Sequence, residues 1–232
     1  SPEEFRQLPE KGIEAQKIRA LLAAYGTEYD FCRFFAQNGD TFLAELDRAF
    51  VLSDGVSADF EELSRFLCLN GFSEVFCTEA AANAIAEHIG CKINTVNVMK
   101  FCGEPVFCEI ECNPRLNDVF GVLKTAFDVE YEPWYLDMSH RIRHGVSAVY
   151  MLDKSSVLAV QHNINGEALL SQIATLTARR GEGLASRLIK AVCERLSDSE
   201  IYVICEDSLV TFYEKCGFFR VDKRCVLLPN NI

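Results

Sequence analysis

The chain has 232 residues, 49% of them hydrophobic, which is too long and too apolar for a disordered segment and enough to bury an ordinary core. Its net charge of -11, from 23 Lys and Arg against 34 Asp and Glu, speaks against a nucleic-acid binder, which must meet phosphates with a basic surface. No apolar stretch approaches the ~20 residues that cross a bilayer, and no charged-then-apolar leader opens the chain, so a cytoplasmic protein that contacts neither nucleic acid nor membrane is expected. Ser1 in place of Met suggests a processed or trimmed start.

Eleven cysteines would suggest a disulfide scaffold in a short secreted chain, but the number is odd and most sit in apolar runs, so buried reduced thiols are expected. Cys102, Cys108 and Cys112 contain no C-x-x-C pair and the histidines lack ligand spacing around them, so no metal site is expected.

Taken in chain order, Phe31 to Ala36 and Phe42 to Leu52 form a hairpin around Asn38-Gly39. A helix carrying Phe60, Leu63, Phe66 and Leu67 follows, closed by Asn70-Gly71, and then a strand, a helix and a strand. Asn113 before Pro114 has the form of an N-cap with proline at the first helical position, and Leu116, Val119, Phe120 and Leu123 give the next helix an apolar face. A second helix runs from about Pro133 to Arg143, with basic residues in its last turn and Gly145 beyond. Val149 and Met151, the Asp153-Lys154-Ser155 turn, Val157 to Gln161, the Asn165-Gly166 turn and Ala168 to Thr177 then predict a three-stranded meander. Leu184, Leu188, Val192 and Leu196 predict an amphipathic helix, Ile201 to Cys205 a buried strand, Leu209 to Cys216 a short helix stopped by Gly217, and Phe218 to Leu228 a last strand or hairpin.

The two halves share an order of elements, and Ser73-Glu74-Val75-Phe76-Cys77 before Thr78-Glu79 parallels Ser199-Glu200-Ile201, with Ile204-Cys205, before Glu206-Asp207. Duplication is expected, with domains at residues 1–112 and 113–232; chance likeness of two α/β halves is the alternative.

The stretch Leu176-Thr177-Ala178-Arg179-Arg180-Gly181-Glu182-Gly183-Leu184-Ala185-Ser186 leaves a strand and enters a helix. Two glycines let the backbone fold closely round an anion, the helix start offers unpaired N–H groups and partial positive charge, and Arg179 and Arg180 add full charges. A dinucleotide loop would need a third glycine where Ser186 stands, although Glu206 lies near the position of a ribose-binding acid. An ordinary tight turn is the plainer alternative.

Arg180-Gly181-Glu182-Gly183-Leu184-Ala185 resembles the Q/R-x-x-G-x-G/A pyrophosphate loop of the GNAT N-acetyltransferase superfamily, and Phe212-Tyr213-Glu214-Lys215-Cys216-Gly217-Phe218 resembles its F/L-Y-x-x-x-G-F signature. The likeness spans about Asn113 to Leu228. It implies an α/β fold of tandem GNAT-like mixed sheets with helices on both faces, and acetyl-CoA as co-substrate. It places the cofactor on Thr175, Leu176, Thr177, Arg179, Arg180, Gly181, Gly183, Leu184, Ala185 and Ser186, the first three pairing with pantetheine like an added strand. Tyr213 would protonate the departing thiolate, Glu167 would be the base acting through water, and the N–H of Leu176 or a neighbour would hold the carbonyl. Glu206 stands where many relatives carry Asn, which leaves one pantetheine contact in question.

Tyr131, Trp134, Tyr135, Asp137, His140 and His144 would wall the acceptor site or, for Trp134 and Tyr135, simply pack the core. In the first half, Leu52 to Asp59 carries one glycine, two acids and no arginine, and Ile85 or Ala86 falls where the tyrosine should. A degenerate, noncatalytic copy is expected there. The function implied is transfer of acetyl to a primary amine of a small molecule by a monomer or homodimer; an acyl-CoA-binding regulatory module without transfer activity is the alternative.

Overall fold

In the computed structural model, which describes residues 3–230, the chain forms two compact units. The first holds the described residues up to Asn97 together with those from Asp222 on, and the second runs from Val98 to Val221. The chain therefore passes between units inside strands rather than in a linker, upstream of the expected 112/113 boundary, and the end of the last strand belongs to the first unit.

The first unit begins with α1 (Ile13–Tyr25), a helix that the sequence reading did not include. Next come β1 (Cys32–Gln37), β2 (Thr41–Leu46) and β3 (Ala49–Ser53), antiparallel neighbours in that order. The single strand expected from Phe42 to Leu52 is thus two, because Asp47 and Arg48 both adopt left-handed backbone (φ 47° and 70°) and reverse the chain. Then follow α2 (Phe60–Asn70), β4 (Glu74–Cys77), α3 (Glu79–Ala86) and β5 (Cys91–Phe101). β4 runs parallel to β3, as a crossover helix requires. Asp59 caps α2 by accepting the Glu62 N–H at 3.0 Å, and Thr78 caps α3 through the Ala81 N–H at 3.2 Å. The core under α2 and α3 contains Leu43, Phe50, Leu52, Leu63, Leu67, Val75 and Ile85.

The second unit contains β6 (Glu111–Cys112), α4 (Leu116–Leu123), α5 (Tyr131–Arg143), β7 (Ala148–Leu152), β8 (Ser156–Ile164), β9 (Glu167–Thr175), α6 (Leu184–Arg195), β10 (Glu200–Cys205) and α7 (Asp207–Lys215). It also takes the start of β11 (Phe218–Pro229), a single strand whose Cys225 to Leu227 segment pairs with β4 in the first unit. Asn113 is not the expected N-cap: it adopts φ 54° and donates its N–H to Val149 O at 3.0 Å, so α4 starts after Arg115.

β7, β8 and β9 form the expected meander, turned by Asp153-Lys154 and Asn165-Gly166, all four with positive φ. Strand alternation separates two cores. Leu158, Val160, Ala168 and Leu170 pack with Leu184, Leu188 and Val192 of α6, while Val157, Ala159 and Ala174 pack with Val119 and Leu123 of α4 and Trp134 and Met138 of α5. Helices therefore cover both faces of this mixed sheet, which is the expected α/β class.

Candidate functional site

β9 is antiparallel to β8 on one edge and parallel to β10 on the other, but the second ladder is short. It pairs Glu167 through Leu170 with Glu200 through Val203 and then ends, while β9 continues to Thr175 and β10 to Cys205. Main-chain groups on that edge of β9, from Ser171 onward, are left without a neighbouring strand. Within this stretch lies a bulge: Val157 pairs with Ala174 but Ala159 with Ser171, so β9 carries one extra residue, and Gln172 there has φ 47°.

The loop leaves the splayed end of β9. Thr177 to Arg179 make one tight turn, Gly181 and Gly183 have φ 85° and 75°, and α6 begins at Leu184. Both glycines are needed for backbone direction rather than for lack of room, since a Cβ on either would meet nothing within 4 Å. The amides of Leu184, Ala185 and Ser186 form the first turn of α6 and have no carbonyl of their own helix to reach. Those of Gly181, Glu182 and Gly183 have no backbone acceptor among the described residues either. Consecutive donors over open space, at the positive end of a 12-residue helix, suit a diphosphate.

The arginines are placed differently from expectation. Arg179 forms an ion pair with Glu182, Nη2 to Oε2 at 2.7 Å, so part of its charge is neutralised within the loop. That contact raises the pKa of Arg179 and lowers that of Glu182. Arg180 donates through Nε to Thr175 O at 3.2 Å and through Nη2 to Thr125 O at 3.4 Å, which braces the loop against the strand end. Leu176 cannot serve as the expected carbonyl donor, because its N–H is given to Ser155 O at 2.8 Å. Neighbours remain.

Tyr213 lies on α7 in the core beside Cys205, Cys216 and Phe218 and is 7% exposed. Burial, and after it the Cys205 and Cys216 thiols, raises its phenol above the usual range, so the hydroxyl keeps its proton. One turn further along α7, Cys216 Sγ sits 3.5 Å from Ser186 Oγ, which brings this helix to the first turn of α6. That contact brings α7, which carries Tyr213, against the first turn of α6, which follows the loop.

Glu167 opens β9, eight residues before Thr175, where it is 6% exposed and its carboxylate stands 3.8 Å from His162 Nε2. Of the aromatic stretch on α5, Trp134 is core, and its Nε1–H donates to Gln172 Oε1 at 2.9 Å, whereas Tyr131 and Tyr135 are exposed. Asp137 pairs with Arg141 at 2.7 Å, and the rings of His140 and His144 stack 4.3 Å apart. Nothing in the sequence marks Gln172 or Ser155 as part of the site: a bulge has no composition signal, and Ser155 reads as a turn residue.

The corresponding loop of the first unit, between β3 and α2, is filled by its own side chains. Gly55 N–H donates to Thr41 Oγ1 and Ser57 N–H to Asp40 Oδ2, both at 3.0 Å, and a Cβ on Gly55 would overlap Asp40. Among the described residues no helix is long and apolar enough to cross a membrane, and no three His, Cys, Asp or Glu side chains gather as a metal ion would require.

Residues 124–227 match the family model for an acetyltransferase (GNAT) domain. No curated protein matches the chain in sequence. Among solved structures, a GCN5-related N-acetyltransferase from Kribbella flavida superposes with a TM-score of 0.67 at 12% identity, over 95% of both chains. A GNAT-family acetyltransferase from Colwellia psychrerythraea gives 0.58 at 12% identity over 100% of this chain and 97% of its own. A tandem GNAT protein from the clavulanic acid biosynthesis pathway gives 0.57 at 10% identity over 90% and 86%. At such identities the likeness is one of fold.

Proposed function

Because residues 124–227 match the family model of an acetyltransferase (GNAT) domain, we propose that the second unit transfers an acetyl group from acetyl-CoA to a primary amine on a small molecule. The observation that carries this reading is the run of amides from Gly181 to Ser186, which faces open space where β9 and β10 part. These amides hold the pyrophosphate, Arg180 keeps the loop against Thr175, and the free edge of β9 lines the pantetheine arm. The thioester supplies an activated acetyl group and a sulfur that needs a proton as it leaves.

Tyr213, on the helix that meets the first turn of α6, supplies that proton. The amine and the acetyl donor are bound together, and α5 with its exposed Tyr131 and Tyr135 forms one wall of the acceptor site. Glu167, buried beside His162 at the start of β9, remains the candidate base acting through water. The first unit is a noncatalytic copy: its loop amides are already met by Asp40 and Thr41, so the chain takes one CoA.

Titration calorimetry with CoA, followed by thiol release from acetyl-CoA across an amine panel with mass detection of products, tests the reading. Binding at one site per chain with an acetylated amine as product supports it. CoA binding with no transfer to any amine would leave an acyl-CoA-binding module, and no CoA binding would overturn it altogether.

A further inference from the structure

Gln172 is a non-glycine residue held at φ 47° inside a strand, a conformation that costs energy unless its surroundings fix it. What fixes it is visible. The Gln172 side chain accepts the Trp134 indole N–H at 2.9 Å, and Trp134 is 7% exposed, with its ring 5.5 Å from that of Phe120 on α4. The bulge also decides which main-chain groups face the open edge. Leu176 N–H points to β8, where Ser155 O accepts it, so by strand alternation Thr175 turns to the other edge, where Arg180 meets its carbonyl. The same alternation carries Ala174 back to β8 and turns Ile173 N–H to the open edge, immediately after the extra residue.

We infer that Trp134 is a positioning residue for the acyl group: its hydrogen bond to Gln172 holds the bulge that presents the Ile173 N–H to the acyl carbonyl. This rests on the proposed acetyl-CoA site. It also links the helix that walls the acceptor to the strand that holds the donor, since Trp134 sits between exposed Tyr131 and Tyr135 on α5. A role of this kind discriminates between acetyl-CoA and CoA, because only the former has the carbonyl; a packing role does not.

Calorimetry on the full chain with acetyl-CoA and with CoA, for wild type, Trp134→Phe, Gln172→Leu, the double variant and Gln172→Glu, decides it. Trp134→Phe and Gln172→Leu are each expected to weaken acetyl-CoA binding roughly threefold to tenfold with CoA affinity unchanged. The double variant should lose no more than either single one, and Gln172→Glu, which keeps an acceptor, should stay near wild type. Equal weakening of both ligands, or an unchanged ratio in Gln172→Leu, overturns the inference while leaving the CoA site standing. Wild-type protein that binds neither ligand overturns both.

Discussion

Cys216 and Ser186 meet side chain to side chain, Sγ 3.5 Å from Oγ, and this contact joins the end of α7 to the first turn of α6. The two helices come from the two motifs singled out in the sequence, so motifs separated by a strand in the chain are brought into contact. Tyr213 stands one turn before Cys216 on α7 and is fixed by the same packing, with its ring centroid 5.7 Å from that of Phe218.

Tyr213→Phe keeps this packing and removes only the proton donor. Turnover is expected to fall by about 10²-fold while CoA affinity stays unchanged, since general acids contribute roughly that much. Steady-state rates and calorimetry on the same preparation check it; equal rates would mean that solvent protonates the sulfur.

Gly183 adopts φ 75° at the start of α6 with open space above it. Gly183→Ala should cost about 1–2 kcal/mol of stability through its left-handed backbone and only weaken CoA. Gly183→Asp should remove binding, because it adds like charge where the proposed site would hold the phosphates. A folded Gly183→Asp protein with unchanged affinity would place the pyrophosphate elsewhere.

Where residue pattern dictates local geometry, the sequence was legible: the Asn165-Gly166 turn and the α6 stripe are as expected, and the glycines of the loop adopt positive φ. The Asp47-Arg48 reversal was not legible, because nothing in that dipeptide demands left-handed backbone as Asn-Gly does. Ile13, Ile18, Leu21 and Tyr25 carry a helical spacing, and Gly26 a stop, so α1 too is legible in the residue pattern. The fates of Arg179, Leu176 and Gln172 depend on partners distant in sequence, Ser155 and Trp134 among them, which only the closed sheet brings near.

In the first unit, Asp40 occupies the space beside Gly55, so Gly55→Ala should be destabilising by about 1–3 kcal/mol, as overpacking is. Chemical denaturation measures that loss, and CoA stoichiometry in the folded variant should remain one per chain. A second CoA equivalent on Asp40→Ala would show that the loop still binds once the internal carboxylate is removed.

Burial raises the Cys193 thiol to about 12 and the Cys205 thiol to about 11, and raises Tyr213 too. A folded pKa raised above the unfolded one gives stability that is complete below the unfolded value and is lost as pH climbs towards the folded value. Thermal midpoints should therefore hold up to about pH 8.5, the ordinary thiol value, and decline steadily above it. Cys193→Ala should flatten that decline; an unchanged slope would assign it to other groups.

The acceptor is expected to be a cationic amine. Arg179 is paired with Glu182 and Asp137 with Arg141, so neither supplies a free charge. Asp128, Glu130 and Glu132 remain exposed at the start of α5, on a chain of net charge -11. Carboxylates there can hold a second ammonium of a polyamine while the reacting one gives up its proton, and the field of the whole chain raises its local concentration. A solvated acidic face kept for solubility is the alternative. Salt separates the two, because attraction through water decays over a Debye length of ~8 Å at physiological ionic strength. kcat/KM for a polyamine should fall as salt is raised, and Glu130→Gln with Glu132→Gln should reduce both kcat/KM and its salt dependence while leaving acetyl-CoA binding intact. An acidic acceptor preferred over the polyamine, or a kcat/KM indifferent to salt, would remove the electrostatic argument and leave acetyl transfer itself untouched.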